Sequence, residues 1–361
     1  MSCVRRREAV RAQLRESERD ALLVTDLVNI RYLTGFTGSN AALLLHVDDD
    51  ARSVLCTDGR YDTQAAAEVP DLLRLIERDC VLALVGLAAE QGVRRLGFES
   101  DAVTVEAHAG LVEAAGTAVL HRAPGLVRQL RMIKDEAEVG VLREACACAD
   151  QAFADLLAAG GLRPGRTERD VALDLETRMR RHGATGPAFE TIVASGAHSA
   201  VPHHRPTDAI LRRGDLVKLD FGALWDGYHS DMTRTVVLGP PAAWQRELYD
   251  LVAAAQVAGR AAALPGADVV AVDAAARTVI VEAGRGDDFP HGLGHGIGLQ
   301  IHEAPGLGPT GAGVLAAGVT VTVEPGVYLV GRGGVRIEDT VVVRDGEPQL
   351  LTHTTRELLE I

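Results

Sequence analysis

Four carboxylates and a group of histidines are the residues of this chain that could do chemistry. Asp220 ends an apolar run six residues after Gly214, and Glu324 ends another six residues after Gly318. In each case a glycine-marked turn follows, and then a second acid: Asp231 ahead of Thr235-Val-Val-Leu238, Glu338 ahead of Thr340-Val-Val-Val343. Two matches in the same order are better explained by duplication than by chance. The bland alternative is four solvated acids on edge strands. It fits poorly with Val217, Leu219, Val321 and Val323, which flank the acids as residues of buried strands do. Four carboxylates gathered on one face repel and take up protons, unless one or two divalent cations compensate them.

The histidines fall between the two acid pairs. His291, His295 and His302 stand at intervals of four and seven, with glycines at 292, 294, 296 and 298. So many glycines make a helix improbable, and a glycine-rich turn with closely packed backbone and aimed imidazoles is the better reading. A single histidine is as readily structural as catalytic; three beside a carboxylate cluster argue for a site. One histidine with two Asp and two Glu is a hard, oxygen-rich set that favours Mn²⁺, Fe²⁺ or Co²⁺ over a thiolate-type zinc site. Four carboxylates balance two divalent ions, a pair that activates water in many hydrolases.

Positioning these groups requires two hairpins. A two-residue turn at Asp226-Gly227 pairs Phe221 with Met232 and Asp220 with Thr233. Asp231 then lies on the face of Thr233, diagonal to Asp220 and about 7 Å away between α-carbons. Glu324 and Glu338 are equidistant from Gly331, so a turn centred there sets them opposite each other. The supporting elements are helices over 135–159, 167–183, 243–264 and 267–284, with strands over 189–195, 215–222, 232–239, 319–330 and 335–344. Residues 1–125 read differently, as an α/β unit: a helix over 8–19, strands over 21–25, 42–47 and 53–57, and helical stretches near 61–69 and 81–92. A turn-rich joint at 121–125 separates this unit from residues 126–361.

Length and composition agree with two domains of this kind. A chain of 361 residues can bury about three quarters of its unfolded surface, and 47% hydrophobic with 24% charged residues is a globular balance. A net charge of −13 argues against a general nucleic-acid binder. The longest apolar stretch, 81–89, is about half of what a membrane span needs, and the arginines at 5–7 lead into more charge instead of a signal-peptide core. Five cysteines without CxxC spacing read as buried thiols of a reducing compartment, so a cytoplasmic location is expected.

The order Asp220, Asp231, His295, Glu324, Glu338, with SDMTRT at 230–235, HGLGHGIG at 291–298 and VEPGVY at 323–328, resembles the aminopeptidase P/prolidase family of pita-bread metallopeptidases. IRYLTGFTGSN at 30–40 and TDGRY at 57–61 resemble the family's creatinase-like N-terminal domain, so the likeness covers nearly the whole chain. It implies an α/β creatinase-like domain at 1–125 and an α+β pita-bread catalytic domain with an internal pseudo-twofold repeat at 126–361. It also implies two divalent ions, Mn²⁺ first and Co²⁺, Fe²⁺ or Zn²⁺ next. Asp231 and Glu338 bridge them, Asp220 completes one, and His295 with Glu324 the other. By the same resemblance Glu324 handles the proton of the attacking water and His302 stabilises the tetrahedral intermediate. His203 binds substrate, with its neighbour His204 as a rival for that role. His291 lines the substrate side, and Arg336 joins it there as a partner of the carboxylates.

The expected activity is hydrolysis of the bond before proline in peptides with proline at the second position. The sequence leans towards an Xaa-Pro aminopeptidase, with an Xaa-Pro dipeptidase as the alternative. A non-catalytic pita-bread binding protein and a creatinase-like amidinohydrolase are disfavoured because all five ligands are present. A homodimer is expected from the family, with no nucleic-acid or membrane partner.

Overall fold

A computed structural model describes residues 2–361. The chain divides into two compact units, Met1–Arg131 and Met132–Ile361. The first is built on a six-stranded sheet in the order Leu73–Ile76, Val54–Thr57, Ala41–His46, Ala21–Val24, Arg95–Phe98, Val119–Arg122. Ala21–Val24 is antiparallel to Ala41–His46 and parallel to Arg95–Phe98. All four of its residues are buried, as a central strand covered on both faces requires. The strands predicted over 21–25, 42–47 and 53–57 are present. The first helix is Cys3–Glu16, shifted towards the start of the 8–19 prediction. The helix Leu27–Thr34 was not predicted, although its signals are in the sequence: Asp26 accepts from Val28 N, and Gly35 ends it at φ 83°.

In the second unit the four predicted helices are Glu136–Ala158, Glu168–Arg181, Ala243–Ala262 and Val269–Glu282. Asp135 and Thr167 open the first two with capping boxes closed by Glu138 and Asp170. Each helix pair covers its own strands. Phe153, Leu156, Leu175 and Met179 pack with Val217, Leu219 and Phe221. Val252, Val272 and Ile280 pack with Val321, Val323, Val335 and Val341. Two cores of the same construction are the structural form of the repeat. Among the described residues no helix is long and apolar enough to cross a membrane.

The first hairpin has the predicted register. Trp225 pairs with Tyr228 across Asp226 (φ 43°) and Gly227 (φ 75°), and Phe221 pairs with Met232 and Asp220 with Thr233. Positive φ at both turn residues is what a type I′ turn demands. The second hairpin also keeps its predicted register, with Gly326 opposite Arg336 and Val323 opposite Asp339. Its strands are broken, however, where one long strand each was expected: Thr320–Val323 and Gly326–Leu329 on one side, Gly333–Arg336 and Asp339–Val342 on the other. The gap falls at Glu324 and Glu338. Their backbone N–H groups leave the ribbon, Glu324 N donating to Leu293 O (2.8 Å) and Glu338 N to Thr233 O (3.1 Å). The second hairpin is thereby tied to the histidine run and to the first hairpin at the positions of its two acids.

Candidate active site

Asp231 is set by a close backbone approach. It lies opposite Gly222, where a Cβ would come within 1.8 Å of Ser230 O, so no larger residue fits. His295 lies on a short strand, Gly294–Gly296, in place of the expected turn; the helix is absent as expected. A Cβ at Gly294 would lie 2.1 Å from Thr322 O and one at Gly296 2.2 Å from Ala304 O. The flanking glycines thus let the His295 strand press against both neighbours.

His295 Nδ1 is 3.0 Å from Gly296 O, and because a carbonyl only accepts, Nδ1 carries the proton. Nε2 is left as a bare lone pair, 3.4 Å from Glu324 Oε1 and 3.6 Å from Asp231 Oδ2. Ligand atoms of Asp231, His295 and Glu338 lie within 4.8 Å of one another. Asp220 Oδ1 and Glu338 Oε1 are buried and find no hydrogen-bond donor among the described residues. Burial, then the neighbouring carboxylates, holds Asp231 and Glu338 well above the usual carboxylate range. Burial likewise pushes Glu324 up to about 7. Acceptors facing acceptors, with orphaned buried oxygens, are what a divalent-cation site looks like in its donor chemistry. The residues fit the metal that the sequence implies.

Arg336 supports this cluster from behind. It is 1% exposed. Its guanidinium donates to Asp220, to Thr233 Oγ1 (3.0 Å), to Tyr328 Oη (2.9 Å) and to Pro202 O (3.1 Å). Thr233 passes the contact on, donating to Glu338 Oε2 at 2.6 Å. Tyr328 does the same towards His291: Nδ1 of that ring faces Gly292 O (2.8 Å), so Nε2 accepts from Tyr328 Oη at 2.8 Å. Burial, then Arg336, pushes His291 down to about 4, which makes it neutral at physiological pH. Thr233 and Tyr328 were missed from sequence, although both lie inside motifs quoted above.

His302 packs edge-on against His295 with ring centroids 4.4 Å apart. His203 is exposed on the wall of the same cavity, whose volume is about 420 Å³. His204 also touches the wall, but its Nε2 is bonded to Glu168 Oε2 (2.9 Å). The Glu168 carboxylate is buried and fully used. It accepts from Ser195 N, His198, His204, Thr207 N and Thr207 Oγ1 at 2.7 to 3.0 Å. These five hydrogen bonds account for the clustering of Glu168, His198 and His204 without a cation. Lys218 Nζ donates to Val201 O (2.6 Å) and Pro202 O (3.1 Å), so the segment carrying His203 is held from two sides.

Two hairpins and a histidine strand converging on a carboxylate cluster, each half of the unit repeating the other, define a pita-bread metallopeptidase. Residues 140–345 match Metallopeptidase family M24 and residues 6–133 match the Creatinase/Prolidase N-terminal domain. The chain belongs to that family and is a metal-dependent hydrolase. It superimposes on an Xaa-Pro dipeptidase from Bacillus anthracis with a TM-score of 0.95, at 38% identity over 100% of both chains. An X-Pro aminopeptidase from Thermotoga maritima MSB8 gives 0.91 at 34% identity, covering 98% of this chain and 99% of the other. An Xaa-Pro dipeptidase from Pyrococcus furiosus is 35% identical over 95% of this chain and 96% of its own.

Proposed function

We propose that the chain is an Xaa-Pro dipeptidase. The observation that carries the hydrolytic part is the bare Nε2 of His295 facing carboxylate oxygens on the wall of the cavity. Similarity to dipeptidases from two organisms supports the substrate class, so the dipeptidase replaces the aminopeptidase towards which the sequence leans. A tertiary Xaa-Pro amide has no N–H for ordinary peptidases to bind, which gives a dedicated enzyme its chemical reason.

Asp220, Asp231, His295, Glu324 and Glu338 would hold two divalent ions, with Mn²⁺ favoured by the hard donor set. Bound there, such ions supply a lowered water pKa and a polarised scissile carbonyl. The remaining work belongs to the chain. Arg336 and Thr233 fix the carboxylates in one geometry. Glu324 takes the proton of the attacking water and returns it to the proline nitrogen. His302 donates to the oxyanion of the tetrahedral intermediate, His203 binds substrate from the facing wall, and neutral His291 borders the proline.

The test is hydrolysis of a Gly-Pro-type dipeptide and an X-Pro-Pro tripeptide by chelator-stripped protein, before and after adding Mn²⁺, Co²⁺ or Zn²⁺. Metal-dependent turnover with strong preference for the dipeptide is the expected result. Preference for the tripeptide would move the assignment to the aminopeptidase, and no turnover of either by folded protein would abandon both.

A further inference from the structure

A dipeptide differs from a longer peptide in one group, the free carboxylate on its proline, and none of the roles assigned to the metal-site residues and histidines covers it. A group that does so must be a permanent cation, must line the cavity, and must not already be committed. Among the described residues the cavity wall carries two arginines or lysines, Arg336 and Arg205. Arg336 is buried and occupied by Asp220, Thr233, Tyr328 and Pro202. Arg205 has an 82% exposed side chain, and its ion pair runs through Nε to Glu190 Oε2 at 3.2 Å, itself 64% exposed. Such a pair is weak because both partners remain hydrated and screened, so a second carboxylate can displace it or share the fork.

Arg205 is also well mounted. Its backbone sits between His204 and Thr207, both bonded to the buried Glu168 carboxylate, and two residues past His203. The base of the side chain is thereby held, and Arg205 and Glu190 both line the cavity. A planar guanidinium engages a carboxylate through two parallel N–H groups.

We propose that Arg205 is the residue that recognises the free carboxylate of an Xaa-Pro dipeptide and so sets the preference for dipeptides over longer peptides. The proposal rests on the dipeptidase reading above. It is tested with the metal-loaded protein by comparing kcat/KM for an Xaa-Pro dipeptide with that for its C-terminal amide. Wild type is expected to prefer the free acid. Arg205→Ala should lower kcat/KM for the acid by about 10- to 100-fold, mainly through KM, as loss of one charge-assisted contact does. The acid-to-amide ratio should then approach one, and Arg205→Lys should restore part of it. A purely structural role would lower both substrates together and leave the ratio where it was. An unchanged ratio in Arg205→Ala, or a wild type that cleaves acid and amide equally, would overturn the inference while leaving the peptidase standing. A wild type that turns over the X-Pro-Pro tripeptide but no dipeptide would overturn the dipeptidase reading, and this inference with it.

Discussion

Replacing a metal ligand ordinarily weakens a metalloprotein, yet substituting Glu324, one of the ligands proposed above, by Gln should strengthen this one whenever the metal is withheld. In the metal-free protein, burial, helped by the Asp220 carboxylate and opposed by Arg336, pushes the Glu324 carboxyl from 4.5 up to about 7. The unfolded chain ionises near 4.5 and the folded one only near 7, so between these values the unfolded state binds fewer protons. Folding stability contributed by this group is therefore present below pH 4.5 and lost as pH rises through about 7. At about 1.4 kcal/mol per tenfold, the loss at pH 8 amounts to about 3 kcal/mol. Glutamine has the shape of the protonated acid and can still accept from Thr322 Oγ1, which is 3.1 Å from Glu324 Oε1. Chelator-treated Glu324→Gln should thus match wild type to within about 1 kcal/mol at pH 5 and exceed it by about 3 kcal/mol at pH 8. For a unit of this size that is a Tm higher by about 6–12 °C. Adding Mn²⁺ should reverse the order, since wild type gains a ligand that the variant lacks. Thermal unfolding from pH 5 to 8, with and without metal, measures both. A metal-free variant less stable than wild type at pH 8, or a gap that does not widen with pH, would refute the reasoning.

Two further substitutions test the scaffold. Arg336→Lys keeps the charge but replaces a fork with a point donor, losing the simultaneous hold on Asp220, Thr233 and Tyr328. With metal saturating, steady-state kinetics should show kcat/KM lower by about 10- to 100-fold, and a variant within twofold of wild type would remove Arg336 from the site. Gly222→Ala drives a Cβ into Ser230 O. Denaturant unfolding should register a loss of about 3 kcal/mol, together with a fall in bound metal because Asp231 is displaced.

Both hairpin registers are readable from sequence because a turn fixes everything paired across it. Asp226-Gly227 has one favoured geometry, and Asp220 and Thr233 follow from counting. Gly331 does the same for Glu324 and Glu338. The interruption of the second ribbon is not readable, since it depends on Leu293 O and Thr233 O being there to receive two amides. The choice between His203 and His204 is equally invisible in one dimension. What favours His203 in the proposed role is Glu168, thirty-six residues before His204, which takes up the Nε2 of His204 while both histidines line the cavity. In the first unit, Leu73–Ile76 and Val119–Arg122 escape prediction because they are edge strands, largely exposed and without a buried face to impose a pattern.

The gap in the second ribbon also bears on how the protein matures. A metal site contained in one loop can fill while the rest of a chain is still unfolded. Here the acids lie on hairpins a hundred residues apart, and Glu338 reaches its place only when its own amide closes on Thr233. Asp220 and Asp231, made first, form no complete pocket by themselves, and His295 needs strands on both sides to hold it. On the ligand set proposed above, a complete site exists only once both hairpins and the histidine strand are assembled, so a stable complex with metal would be in itself a report that the whole second unit has folded.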